Sequence, residues 1–214
     1  MAFGNLVGMG CPMRLILVRH GESEWNREGR VMGRADVALT ELGRRQACAV
    51  AEALRVERIH AVYSSPLSRA LETGEAIMHG RCCPLVPSSA LQELSRGSLE
   101  GLTREEALGF YPDLQREWLH PERGSEDYGG ESLVSLGLRV RECLGRIRRR
   151  HRQGTVVVVG HYFVNLMVIL DALRMEPSKF RCFDQDLGAI SVVDIEKGRS
   201  ILRLLNDTCH LPKG

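Results

Sequence analysis

The apolar positions of the chain fall into two kinds of run. Leu15 to Val18 and Val156 to Val159 are unbroken, the first closed by Arg19 and the second set between Gly154 and Gly160. That is the pattern of strands covered on both faces in a parallel sheet. Ala61 to Tyr63 is a shorter candidate of the same kind. Elsewhere the spacing changes to three and four. Thr40 stands as a cap before Leu42, Ala47, Val50, Ala51 and Leu54. Ser65 and Pro66 form a cap and first-turn pair before Leu67, Ala70, Leu71, Ile77 and Met78. A stripe of Leu133, Leu136, Val140, Leu144 and Ile147 predicts a long helix from about Ser132 to near Gly154. Ala189 to Ile195 and Ser200 to Leu205, joined through Lys197 and Gly198, predict a hairpin at the sheet edge. The order βαβα predicts an α/β three-layer sandwich with a mostly parallel central sheet and an antiparallel edge.

One region breaks the alternation. From Leu94 to Gly130 the chain is cut by Gly97, Gly101, Gly109, Pro112, Pro121, Gly124, Gly129 and Gly130. It is expected to be an excursion with short helices at Thr103 to Leu108 and Pro112 to Leu119, a lid over a binding site. Nothing in the 214 residues demands a second domain, so residues 1–214 are expected to form one, with the lid at about 94–130. A formal charge of +2 is too small to imply nucleic acid or a membrane as partner. The first residues, MAFGNLVGMGCPM, show no basic segment followed by an apolar one, and no apolar run approaches the ~20 residues of a membrane span. A cytoplasmic location is expected. The seven cysteines lack any C-x-x-C pair, which favours packed, reduced thiols over a zinc site.

The chemistry gathers where strands give way to helices. Arg19 and His20 follow the first strand, Arg69 follows Ala61 to Tyr63, and His161 follows the valine strand. In an open α/β sheet these junctions share the carboxyl edge, where ligands bind, so four side chains from three segments should meet. Arg69 lies in the first turn of its helix, where the dipole disfavours a cation by up to ~1 kcal/mol. A dianion held between that guanidinium and the helix amides would reverse the penalty. Two arginines, a neutral imidazole as nucleophile, a second imidazole and Gly21, which allows close backbone approach, make a phosphate trap.

A lone arginine or histidine at a strand end is more often structural, but the combination at three like junctions is not explained that way. His60, His79, His120, His151 and His210 occupy no comparable position and are expected to be structural. The basic run from Arg146 to Arg152 lies at the C-terminal end of an amphipathic helix, where cations oppose the dipole, and is read as a solvated face rather than a nucleic-acid site.

These residues resemble the histidine phosphatase (phosphoglycerate mutase-like) superfamily, whose hallmark is an R-H-G triplet after the first strand. RHGESEWN (Arg19 to Asn26), DVALTELGRRQA (Asp36 to Ala47), SSPLSRALET (Ser64 to Thr73), LQELSRGSLEG (Leu91 to Gly101), GGES (Gly129 to Ser132) and VVVVGH (Val156 to His161) are each similar to a block of that family. The resemblance implies His20 as the phosphorylated nucleophile. It implies that Arg19, Arg69 and His161 hold the phosphoryl oxygens, with Asn26 adding a hydrogen bond, and Glu93 as general acid and then base. Gly21 and Tyr162 would complete the substrate contacts. No metal or other cofactor is implied. Three positions depart from the family pattern: Tyr162 stands where many members have glycine, and Arg96 and Ser98 where many phosphatases have an aromatic residue and tryptophan.

The resemblance points to the phosphatase branch, a metal-independent hydrolase of a small phosphorylated metabolite. A cofactor-dependent phosphoglycerate mutase is the alternative within the family. Such mutases use an adjacent arginine pair in the excursion, whereas Leu94 to Gly130 holds only the separated Arg96, Arg104, Arg116 and Arg123. A non-catalytic phosphate-binding protein is the alternative from another class, and it would have no need of His20 and Glu93 together. Oligomeric state is left open, a homodimer included.

Overall fold

The computed structural model describes residues 13–114, 125–196 and 199–212. Its strands are β1 (Met13–Arg19), β2 (Ile59–Ser64), β3 (Leu85–Pro87), β4 (Gly154–Gly160), β5 (Ile190–Glu196) and β6 (Arg199–Asp207). The helices are α1 (Glu24–Arg27), α2 (Glu41–Ala53), α3 (Ser68–Met78), α4 (Arg104–Phe110), α5 (Leu133–Arg150) and α6 (Tyr162–Leu173). The six strands form one sheet in the order β3-β2-β4-β1-β5-β6. β1 to β4 run parallel, β5 is antiparallel to β1, and β6 closes the sheet antiparallel to β5.

The unbroken apolar strands are explained by two cores. Leu15 and Leu17 of β1 face α5 and α6 with Val156 and Val158. Ile16 and Val18 face α2 and α3 with Val157 and Val159. Because strand side chains alternate, a strand between two helical layers must be apolar at every position. The α/β three-layer arrangement with an antiparallel edge follows. A third, smaller cluster (Leu99, Ala107, Leu114) anchors the excursion, joined by Val31 and Tyr128.

Most helix starts fall where the sequence places them. The Thr40 hydroxyl accepts from the Gly43 amide, 3.0 Å, and Ser132 caps α5 through the Ser135 amide, 3.2 Å. Thr103 and Glu106 close a capping box on α4. The exception is α3. Ser65 accepts from Leu67 N–H instead of capping a helix, and the helix begins at Ser68 with Leu67 as a cap that offers no side-chain bond. With its hydroxyl spent on that local bend, Ser65 and Pro66 precede the helix instead of opening it. Arg69 is therefore the second residue of α3. β3 is missed by the sequence reading because three residues ending in Pro87 carry no periodicity. The expected helix Pro112 to Leu119 falls largely, and the Lys197-Gly198 turn wholly, outside the described residues. Cations at the end of α5 are partly neutralised by Arg146–Glu142 and Arg148–Asp171. No described helix is long and apolar enough to cross a membrane.

One close approach fixes the loop after β1. A Cβ on Gly21 would overlap the Gly43 carbonyl, and a Cβ on Gly43 would overlap the Glu22 carbonyl, so α2 sits directly against the backbone that follows His20. In a free helix interior, alanine is favoured over glycine by ~1 kcal/mol. Overlap with a backbone carbonyl costs more, about 1–3 kcal/mol. Gly43→Ala is thus expected to lower the melting temperature in thermal unfolding; a rise would contradict this contact.

Candidate active site

Three parallel strands aim their carboxyl ends at one place. β4 lies between β1 and β2, and its last residue, Gly160, is level with Arg19. His161 leaves the sheet beside His20, whose backbone N–H donates to the Gly160 carbonyl, 3.2 Å. The two rings meet edge to face with centroids 5.0 Å apart. On the other side of β4, the chain leaving β2 enters α3 and delivers Arg69. Thr73, one turn further along α3, ties the helix to the loop: its hydroxyl donates to the Arg69 carbonyl, 2.8 Å, and accepts from the Gly21 amide, 3.3 Å.

The protonation of His20 can be read from its partner. Nδ1 lies 2.7 Å from the Gly21 carbonyl, which can only accept, so Nδ1 carries the proton and Nε2 the lone pair. The ring is 2% exposed. Burial, with Arg69 and Arg19 adding to it, pushes its pKa well below the ordinary histidine value, and the bond to Gly21 only partly offsets this. His161 is fully buried and shifted the same way by burial, then by Arg69, His20 and Arg19. Both imidazoles are neutral near pH 7.

The two arginines face this pair without contacting a carboxylate. Arg69 is fully buried and donates to the carbonyls of Ala35 and Gly33, each at 2.8 Å. Burial lowers its pKa to about 10, so it keeps its charge. Arg19 is half-buried, donates to the Gln185 carbonyl and lies 5.3 Å over the Tyr162 ring. Neither makes an ion pair among the described residues. Nε of each arginine and both ring nitrogens of His161 are buried with no hydrogen-bond partner among the described residues. A buried donor left unmet costs about 1–3 kcal/mol, so this cluster is built to receive an anion with several acceptor oxygens.

Glu93 lies on the segment after β3, just past the short helix Ser89–Leu91. Its carboxylate accepts from the Leu94 amide, 2.8 Å, and from the Phe163 amide in the first turn of α6, 3.2 Å. Burial raises its pKa, against those two amides and the more distant arginines. At 5% exposure it is suited to holding a proton for delivery. Its backbone is fixed as well: Arg139 donates to the Glu93 carbonyl, 3.1 Å, while forming a two-pronged pair with Glu131 at 2.7 and 2.8 Å.

Of the remaining sequence candidates, Gly21 faces Gly43, so its missing side chain serves backbone packing. Asn26 spends its amide oxygen on the capping box with Ser23, bonds of 3.0 and 2.7 Å, which leaves only its amide nitrogen to donate to a ligand. Tyr162 opens α6 beneath Arg19. Ser98 belongs to the lid scaffold, accepting from Tyr111, 3.0 Å, and donating to the Tyr128 carbonyl, 3.3 Å. His60, His151 and His210 are structural, bonded to Thr155 N–H, the Tyr63 hydroxyl and the Gly188 carbonyl. His120 lies outside the described residues.

Two supports escaped the sequence reading. The Glu100 carboxylate accepts from the amides of Arg34, Ala35 and Arg96 at 2.8 to 3.0 Å, which holds the very loop whose carbonyls receive Arg69. Gln185, buried and bonded to Ser191 at 3.0 Å, carries the carbonyl that receives Arg19. A carboxylate serving backbone amides leaves no periodic trace, and neither does a main-chain acceptor.

The chain is similar in sequence and fold to known proteins. The family described as histidine phosphatase superfamily (branch 1) matches residues 15–208. Phosphoserine phosphatase 1 of Hydrogenobacter thermophilus is 38% identical over 199 residues, 93% of this chain and 94% of its own. A metal-independent phosphoserine phosphatase of Arabidopsis thaliana is 34% identical over 201 residues, 92% of this chain and 82% of its own. Among solved structures, Bacillus stearothermophilus YhfR superposes with a TM-score of 0.87 at 27% identity, covering 94% of this chain and all of its own. A mutant phosphoserine phosphatase of Entamoeba histolytica in complex with phosphoserine gives a TM-score of 0.80 at 32% identity, over 94% of this chain and 100% of that one. With the family model matched from residue 15 to residue 208 and the fold shared over more than nine-tenths of the chain, this chain belongs to the histidine phosphatase superfamily, branch 1.

Proposed function

We propose that the chain is a phosphomonoester hydrolase in which His20 is transiently phosphorylated. One observation carries the reading: the bond from Nδ1–H of His20 to the Gly21 carbonyl leaves Nε2 unprotonated, in a site between the buried Arg69, the half-buried Arg19 and a buried carboxyl whose pKa is raised. In the first step Nε2 attacks phosphorus in line, the P–O ester bond breaks, and Glu93 gives its proton to the departing alkoxide. The Gly21 carbonyl stabilises the positive charge that the ring acquires. In the second step Glu93 takes a proton from water as the water attacks phosphorus, the P–N bond breaks, and His20 returns neutral. Arg19, Arg69 and His161 hold the phosphoryl oxygens, and groups so aimed are each worth about 10²-fold or more at the transition state.

The substrate is a small phosphorylated metabolite. The relatives named as phosphoserine phosphatases support O-phosphoserine as the ester to try first. The six described cysteines are all unpaired, which supports a reducing, cytoplasmic setting.

Quenched-flow labelling with a ³²P-phosphoester is expected to place an acid-labile, base-stable label on the peptide containing His20, in EDTA as well as without it. A label on serine, cysteine or aspartate would remove His20 from this role, and loss of turnover on chelation would show that the arginines do not suffice.

Glu93→Gln keeps size and hydrogen bonding but cannot donate a carboxylic proton. General acid catalysis is typically worth ~10²- to 10⁴-fold, and it matters more for an alkoxide than for p-nitrophenolate. In single-turnover measurements the variant should lose about that factor on an alkyl phosphate and clearly less on p-nitrophenyl phosphate. The pH dependence follows from the two shifts. Reaction falls below the lowered pKa of His20, where the nucleophile is protonated, and falls again above the raised pKa of Glu93, where the acid is lost. The alkaline decline on an alkyl phosphate should vanish in Glu93→Gln. An unchanged alkaline limb would mean that another group donates the proton.

A further inference from the structure

Beside the phosphate trap lies a cavity of about 600 Å³, within the range of small-ligand pockets, with walls from Arg96, Tyr162, Phe163, Phe180, Phe183 and Asp184. It shares two walls with the chemistry. The Phe163 amide binds the Glu93 carboxylate, and the Tyr162 ring lies under the Arg19 guanidinium. If Glu93 protonates the departing oxygen, the leaving group must extend past Glu93 along Phe163, into this space.

Its polar equipment is a pair of opposite charges that do not neutralise each other. Arg96 follows Glu93 by three residues. Its guanidinium stands 5.8 Å over the Phe163 ring and makes no ion pair among the described residues. Its backbone is pinned by Glu100, 2.9 Å, so the side chain projects from a fixed base. Asp184 comes from the segment after the short helix Pro177–Cys182. Its carboxylate accepts from the Gln185 backbone amide, 2.8 Å, and from the Tyr162 hydroxyl, and is in no ion pair among the described residues. A cation and an anion on the walls of one apolar cavity, each with bonding capacity unspent, match a ligand bearing both charges.

Resting on the proposed hydrolysis, we propose that Arg96 and Asp184 select the leaving group, Arg96 binding a carboxylate and Asp184 an ammonium. The preferred substrates are then phosphate esters of small hydroxy-amino acids, with the aromatic walls limiting size. Arg181 lines the same cavity but stacks on Phe180 and already has a partner. It serves as the comparison.

Four esters separate the two charges: O-phosphoserine carries both, 3-phosphonooxypropanoate only the carboxylate, O-phosphoethanolamine only the ammonium, and ethyl phosphate neither. The readout is the ratio of kcat/KM between pairs, which cancels any general loss. Hydrogen bonds to charged groups imply about ten- to a hundredfold per contact. Arg96→Gln is expected to lower the ratio of O-phosphoserine to O-phosphoethanolamine by about that factor, and Asp184→Asn the ratio of O-phosphoserine to 3-phosphonooxypropanoate. Arg181→Gln is expected to move neither by as much as threefold. Unchanged ratios in the first two variants, equal losses on all four esters, or a larger effect of Arg181→Gln than of Arg96→Gln would each overturn the assignment. A wild-type protein that hydrolyses p-nitrophenyl phosphate but shows no preference among the four esters overturns it too. A protein inert on every ester, p-nitrophenyl phosphate included, would refute the hydrolase reading itself.

Discussion

The molecule is organised around two guanidinium groups, Arg69 buried and Arg19 half-buried, that pair with no carboxylate among the described residues. Taking a charge from water costs several kcal/mol even after relaxation, and carbonyl acceptors recover only part of it. Arg69 has the Gly33 and Ala35 carbonyls, and Arg19 has that of Gln185. Such a pair persists only where the surrounding fold leaves it no alternative, and the cost falls when a dianion arrives. Burial, to which the same two charges add, keeps His20 and His161 neutral, which is the form a nitrogen nucleophile needs. The desolvation that strains the arginines thus also makes the imidazole available.

The supporting structure is best understood as the means of holding that arrangement. Parallel strands set Arg19 level with Gly160, so that His20 and His161 leave the sheet side by side, and the Gly21–Gly43 contact locks the loop that orients His20. Glu100 secures the carbonyls that receive Arg69 by binding the intervening amides, and Glu131 with Arg139 secures the Glu93 backbone. Acidic side chains therefore surround the site at one remove. They fix geometry while staying out of contact with the arginines, so the charge remains available to the ligand.

Much of this was legible in the sequence because its causes are local or periodic. The two-sided strands announce themselves as unbroken apolar runs, Thr40 and Ser132 as caps, and Arg69 as a cation placed against a helix dipole. Strand-to-helix junctions in a parallel sheet then require Arg19, His20, Arg69 and His161 to meet. Glu93 was different: no pattern singles it out, and only the family resemblance suggested it before the structure showed its carboxylate bound to the Phe163 amide. The start of α3 lies downstream of the Ser65-Pro66 signal because Ser65 bonds the Leu67 amide in a local bend ahead of the helix. Glu100, Gln185 and Asp184 were invisible because their partners are main-chain groups or a cavity that exists only once Pro177–Cys182 packs beside α6.

The central claim is that burial, with Arg69 and Arg19 adding to it, holds His20 neutral, while the Gly21 carbonyl keeps the one proton on Nδ1 and leaves Nε2 free. It is tested most directly by ¹⁵N NMR of the histidine side chains through a pH titration of the ligand-free protein, with the His20 signals assigned by substitution. The account predicts shifts of a neutral ring protonated at Nδ1, persisting below the ordinary histidine pKa of about 6.5. A ring that takes up its second proton at or above that value, or one protonated at Nε2 when neutral, would contradict it.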